Sequence, residues 1–279
     1  APLAVKVIDG AGNPLEGATV SVEMQRHAFH FGSAVRAVDF AGPEAASNSA
    51  NRERFKKHFN SATFENDTKW PAWIGDWEDG FSREQTLSTL KWFHQHNYHF
   101  RGHVLVWPSW HNLPEFIRPE NTGGLSPEAI GDLILSHIDD LALATRGMIR
   151  EWDVLNEPRE NHDITDLSGN AVMADWFKRA RERLPEADLA LNDFGILSSK
   201  TDTFTVDPYL ETVDFLLQNK APLTILGIQG HMGGSFSPPE RLLEILNRLH
   251  TGTGLPVRIT EYDLRTEFAD LVEAYTRDF

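Results

Sequence analysis

The stretch Trp152-Asp153-Val154-Leu155-Asn156-Glu157-Pro158 decides how this chain is read. A short, largely apolar run stops abruptly at polar residues and a proline, the pattern of a buried strand whose far end reaches the rim of a cavity. A second run, Val257-Arg258-Ile259-Thr260-Glu261-Tyr262-Asp263, has the same form. Each delivers a glutamate to a strand end. Two such carboxylates are the minimal equipment for hydrolysing a glycosidic bond.

Working outward, further short apolar runs at Phe29 to Val35, Ser61 to Phe64, Phe100 to Trp107, Asp188 to Leu191 and Thr224 to Gln229 join Ile149 to Leu155 and Val257 to Thr260 as predicted strands. Helical patterns separate them. Ser82 followed by Gln85 fits a capping box, and Ser126-Pro127 and Asp207-Pro208 each pair an N-cap oxygen with proline at the first helical position. Ile130, Leu133, Ile134, Ile138 and Leu141 recur at helical spacing, and Gly147 is placed to stop that helix. Strands alternating with helices predict a parallel sheet, and this many units predict an α/β fold of the TIM (β/α)8 barrel type. Glu157 and Glu261 then lie at its C-terminal face, where active sites of such barrels sit. Ahead of it, Ala4 to Asp9 and Ala18 to Glu23 alternate in polarity around Gly10-Ala11-Gly12-Asn13-Pro14. Residues 1–27 are therefore expected to form a β-hairpin appendage, and 28–279 the barrel.

Composition narrows the function. The chain has 279 residues with 41% hydrophobic content, enough to bury one large core. Its formal net charge of −15 repels phosphates and anionic lipid surfaces, so neither nucleic acid nor a membrane is expected as partner. Without cysteine there is no disulfide, thiolate nucleophile or cysteine metal site. His94, His96, His99 and His103 cluster in sequence, but His103 lies inside a predicted strand rather than on the helical face that sets two ligands side by side, so no metal is expected.

Taken singly, either glutamate reads equally well as a loop cap or an arginine partner. Together they point to catalysis, because both end apolar strands and both have hydrogen-bonding neighbours. Asn156 can donate to a sugar hydroxyl, and Asp263 can orient a histidine that in turn holds Glu261.

Trp152 to Pro158 and Ile259-Thr260-Glu261-Tyr262-Asp263 resemble the two catalytic signatures of glycoside hydrolase family 10, the endo-1,4-β-xylanases. Phe59-Asn60, Glu65-Asn66-Asp67-Thr68-Lys69-Trp70, Arg101 to Trp107, Asn192-Asp193 and Gln229-Gly230-His231 follow in the family's order. The resemblance implies a retaining mechanism on xylan in which Glu261 is the nucleophile and Glu157 the acid/base. Such a pair has carboxyl groups roughly 5 to 5.5 Å apart. It further implies that His231 and Asp263 support Glu261, that Asn156 holds the 2-hydroxyl at the cleavage subsite, and that Glu65, Asn66, Lys69 and Gln229 bind sugar. His103 reads either as a substrate contact or as a buried structural hydrogen bond. Trp107 and Trp110 read either as a stacking wall or as core. The family requires no cofactor, its partner is a poly- or oligosaccharide, and its members imply a secreted or extracytoplasmic enzyme, although no signal peptide is visible at Ala1. Hydrolysis of another β-glycan, or a carbohydrate-binding barrel with little turnover, are the alternatives.

Two departures bear on these expectations. The chain ends at Phe279, soon after Glu261, with room for a helix over 267–278 but not for the family's eighth β/α unit. That unit is expected from a longer polypeptide; the alternatives are that the N-terminal hairpin fills the gap or that a second polypeptide, such as a C-terminal fragment, completes the barrel. Phe194 stands where many relatives have tyrosine, and Pro108 where they carry a histidine that hydrogen-bonds the sugar; His111 is the nearest substitute. If the missing imidazole bond is worth about 1 to 3 kcal/mol in the transition state, Pro108→His should raise kcat/KM on xylan roughly 5- to 150-fold. An unchanged or lower value in steady-state assays would show that this site grips its sugar in another way.

Overall fold

The computed structural model describes residues 4–41, 46–77, 80–122, 124–199, 201–233 and 237–265. Contacts divide the chain into two units, Ala1–His30 and Phe31–Phe279, a boundary slightly later than the expected 27/28. In the first unit the turn forms as read. The Asp9 carboxylate accepts from the backbone N–H groups of Ala11 and Asn13, both at 2.9 Å, while Gly12 takes a left-handed φ of 87°. The predicted hairpin arms do not pair beyond one antiparallel bridge, Ile8 to Pro14. Pro14 has no N–H to extend a ladder, and Gly17, at φ 76°, turns the chain out of extension.

In the second unit, seven parallel strands lie in sequence order: β1 (Gly32–Val35), β2 (Ser61–Phe64), β3 (His99–Val106), β4 (Glu151–Asn156), β5 (Asp188–Asp193), β6 (Ile225–Gly233) and β7 (Val257–Arg265). Helices alternate with them, as in a (β/α)8 barrel. Among the described residues the sheet runs from β1 to β7 without closing, and apolar side chains at its two ends stay in water: Phe31 is 52% exposed and Ile259 37%. Residues 266–279, including the expected helix over 267–278, lie outside the described residues.

The helix ends follow local chemistry. Ser82 caps Arg83–Gln95 by accepting from Gln85 N–H. Ser126 caps Pro127–Thr145 by accepting from Ala129 N–H at 3.2 Å, and that helix ends ahead of Gly147, whose φ is 81°. Its Ile130, Ile134, Ile138 and Leu141 are buried, as their spacing predicts. One expectation needs correcting. The helix at the third predicted start is Val206–Gln218, which begins before Asp207-Pro208 and has no side-chain cap bond at Thr205. Asp207 is drawn instead to Arg248, 2.5 Å away, and Pro208 is tolerated because a first-turn N–H has no intrahelical acceptor.

β6 and β7 also run past their predicted ends, and the reason governs the site. Ile228 pairs with Ile259, but the next residue, Gln229, pairs with Glu261, so Thr260 is an extra residue on β7. Such a bulge reverses the alternation of side chains from that point on. Without it Glu261 would align with Gly230; with it Glu261 shares the face of Gln229, and Asp263 that of His231. β4 carries an equivalent extra residue, Val154, between the pairs Asp153–Ala190 and Leu155–Leu191.

Deeper along the strands the interior is ionic. Arg101 on β3 binds its register partner Glu151 and also Asp153, whose other oxygen bonds His103 Nδ1 at 2.9 Å; Arg258 on β7 reaches Glu151 at 2.9 Å. Burial pushes the Glu151 carboxyl up, but His99, Arg101 and Arg258 outweigh it and hold the group at about 2. Trp152 beside this layer is fully buried, and its ring occupies the space a side chain on Gly102 would need, since a Cβ there would lie 2.2 Å from Trp152 Cε3. Gly102→Ala must displace that indole. It is expected to destabilise the fold by about 1 to 3 kcal/mol, read from urea melts.

Candidate active site

Asn156 closes β4, and Glu157 follows in a left-handed conformation, φ 52°, with its N–H donating to Asn192 O at 2.8 Å. Two side-chain amides grip its carboxylate. Gln229 Nε2 donates to Oε1 at 2.8 Å and Asn161 Nδ2 to Oε2 at 3.2 Å. Glu261 sits next to Gln229 in register, so β6 places one amide between the two glutamates.

Glu261 is held differently. His231 Nε2 lies 3.0 Å from its Oε2, His231 Nδ1 lies 2.8 Å from Asp263, and Asn192 Nδ2 donates to Oε1 at 3.1 Å. Burial pushes the carboxyl up, yet the His231 bond, the charge of His103, the charge of His231 and the Asn192 bond outweigh it and hold Glu261 at about 2. In turn the bond to Glu261 leads in raising His231 to about 9, against the cost of its partial burial. A doubly protonated imidazole, donating from both nitrogens, satisfies both carboxylates.

Asn192 links the two halves. Its amide donates to Asn156 Oδ1 at 2.9 Å as well as to Glu261, and its Oδ1 accepts from Thr260 Oγ1 at 2.6 Å. Gly227 makes room, for a Cβ there would lie 3.0 Å from Asn192 Oδ1. Asn156 Nδ2 is buried without a hydrogen-bond partner among the described residues, an unsatisfied donor beside the two glutamates.

Lys69 donates to Asn66 at 2.7 Å and lies over the Trp107 ring at 5.0 Å. Burial lowers its pKa, while Glu261, Glu65 and Glu157 pull it back up. Lys69, Trp77, Trp107 and His111 line a cavity of about 370 Å³. Trp110 packs against the core instead, its N–H bound to Asp163 at 2.9 Å. Glu65 is exposed and faces a neighbouring cavity with Arg36 and His58; it makes no contact with the two glutamates among the described hydrogen bonds. His103 is bonded to Asp153, which supports its structural reading, and its charge also acts on Glu261. Pro108 is buried with its carbonyl accepting from Ile164 N–H at 3.1 Å, and His111 is tied to Ser109 Oγ at 3.0 Å.

Sequence reading left Asn161 out of the site and gave Asn192 no role. Asn192 lies next to the end of β5 in a recognised motif, a signal available without coordinates; Asn161 lies in a loop with none. Asp193 was likewise unassigned. Burial pushes it up to about 7, against the Phe194 N–H and Arg159.

A carboxylate pair toward the C-terminal side of parallel barrel strands, one glutamate fixed by an imidazolium and the other by amides, is the arrangement expected of a barrel glycoside hydrolase. The chain belongs to glycosyl hydrolase family 10, whose model matches residues 21–277. It is similar to the anti-sigma-I factor RsgI6 of Acetivibrio thermocellus, 28% identical over 93% of this chain and 32% of that protein. Endo-1,4-beta-xylanase 1 of Arabidopsis thaliana is 26% identical over 89% of this chain and 25% of its own length. The chain thus spans about a third or less of these two relatives. The solved structure of GH10 from Paenibacillus barcinonensis shares the fold, with a TM-score of 0.75, 23% identity, and coverage of 89% of this chain and 76% of that one.

The two shifts set a pH window. Glu261 lies below its ordinary 4.5, so its contribution to stability is full above about 4.5 and lost as pH falls through about 2. His231 lies above its ordinary 6.5, so its contribution is full below about 6.5 and lost as pH rises through about 9. The difference in Tm between the parent and His231→Ala should therefore be greatest between these two ordinary values and shrink toward pH 9. Melting curves across that range check it, and a constant difference would count against the ion pair.

Proposed function

We propose that this chain is the catalytic barrel of a retaining endo-β-1,4-xylanase. The observation that carries the proposal is the unequal treatment of two adjacent carboxylates: Glu261 is held ionised by His231, at about 2, while the side-chain hydrogen bonds to Glu157 among the described residues come from neutral amides. An ionised Glu261 attacks the anomeric carbon as Glu157 gives its proton to the departing glycosidic oxygen. The C–O bond to the leaving sugar breaks and an ester to Glu261 forms. Glu157, now a carboxylate, takes a proton from water, and the hydroxide attacks the anomeric carbon and releases Glu261. Asn156 Nδ2 donates to the 2-hydroxyl, and Lys69, Asn66 and Gln229 hold the sugar beside Trp107. Activity on xylan is supported by the Arabidopsis relative's name, endo-1,4-beta-xylanase 1. A polymer that cannot cross a membrane supports an extracytoplasmic site of action.

A second reading, a carbohydrate-binding barrel with little turnover, is favoured by a relative named as an anti-sigma-I factor and by the sheet that runs from β1 to β7 without closing among the described residues, whereas Pro108 favours hydrolysis of another β-glycan. Reducing-sugar release on xylan, β-glucan and mannan separates the readings: release from xylan above the others supports the first, and sugar binding without release supports the second.

The roles divide by leaving group. Glu157→Ala should slow natural xylo-oligosaccharides by about 100-fold or more, and aryl glycosides, whose leaving groups need little protonation, far less. Glu261→Ala should lose nearly all turnover and regain part of it with azide, giving a product of inverted configuration. Equal losses on both substrates for Glu157→Ala would remove it as the acid.

A further inference from the structure

Glu157 is the one catalytic candidate with a left-handed backbone, φ 52°, a conformation that persists in a non-glycine residue only where the surroundings over-determine it. One residue supplies most of that determination. Asn161 donates its backbone N–H to Glu157 O at 2.9 Å, and its Nδ2 to the same carbonyl and to carboxylate Oε2, each at 3.2 Å.

The direction of the Asn161 amide is fixed from the other side. Its Oδ1 accepts from Ser109 Oγ at 2.8 Å and from Asn112 Nδ2 at 3.0 Å. Turned over, the amide would set its NH2 against two donors and its oxygen against a carbonyl and a carboxylate. The Ser109 hydroxyl, having given its proton to Asn161, accepts from Asn112 Nδ2 at 2.9 Å and from His111 Nδ1 at 3.0 Å. Ser109 and Asn161 are 4% and 6% exposed, so these bonds are shielded from competing water. The loop after β3 thus braces the residue that braces Glu157.

Resting on the reading of Glu157 as acid/base, we propose that Asn161 is its positioning residue, fixing both the strained backbone and the carboxylate, with Ser109 and Asn112 locking the amide that does so. Asn161 acts through the Glu157 carboxylate that it holds. Its effect is to keep the Glu157 proton aimed at the glycosidic oxygen, a term that acts on the transition state and little on substrate binding.

The test is kinetic, on the chain as it stands. Asn161→Ala should lower kcat on xylo-oligosaccharides about tenfold with KM changed less than about twofold, and should lower the ratio of kcat/KM on oligosaccharide to kcat/KM on an aryl xyloside about tenfold. A merely structural role predicts a raised KM and equal losses on both substrates. Circular dichroism melts confirm folding. Where Asn161→Ala does not fold, Ser109→Ala decides, with the same pattern expected at smaller size. A folded variant with an unchanged substrate ratio overturns the proposal. Glu157→Gln is run alongside: if it lacks leaving-group dependence, the acid/base reading fails, whereas if it shows that dependence and Asn161→Ala does not, only the positioning role fails.

Discussion

The site depends on one extra residue in one strand. Thr260 is accommodated as a bulge between the Ile228–Ile259 and Gln229–Glu261 pairs, and it turns Glu261 and Asp263 to the face that carries Gln229 and His231. Thr260 then uses its own hydroxyl to hold Asn192, which donates to Glu261 and Asn156. A regular strand of the same sequence would send the carboxylate to the opposite face, away from its imidazole and from Glu157. Bulges beside active sites re-aim side chains in this way, and the second one, at Val154, does the same for the strand that ends in Asn156.

Within that frame the two carboxylates are separated chemically by what surrounds them. Both are only partly exposed and both face Lys69, whose pKa is lowered by burial. Glu261 has a protonated histidine backed by Asp263, and the charge of His103 behind it. His103 is in turn anchored through Asp153 to Arg101 in the ionic interior. Among the described residues the Glu157 carboxylate accepts from two neutral amides, those of Gln229 and Asn161. Hydrogen bonds thus run from the buried charges of the interior to His103, whose influence on Glu261 acts through space. Their value lies in orienting His103 rather than in net stability, since desolvation offsets much of the attraction in a buried ion pair.

A good deal was legible beforehand. The two glutamate-bearing runs, the alternation of strands and helices and the Ser82 and Ser126 caps follow from patterns whose physics is local: apolar runs, cap oxygens, and residue types at strand ends; the His231–Asp263 pairing came only with the family resemblance. Where local reading went astray, a distant partner had intervened. Asp207 serves Arg248 rather than a cap, and the first thirty residues keep their turn while their apolar arms find no ladder. Trp107 and Trp110, indistinguishable by residue type, part company because one lines a cavity and the other packs on the core.

The sequence by itself determined the family, the barrel class and the pair of glutamates, because hydrophobic periodicity and short motifs are encoded by neighbours along the chain. Only the tertiary structure decided which way those glutamates face and what grips them. A bulge is a mismatch of register between two strands and leaves no mark in either one alone. Asn161, four residues from Glu157 in an unpatterned loop, gains its direction from Ser109 and Asn112 on a different loop, and no periodicity within the chain links the two.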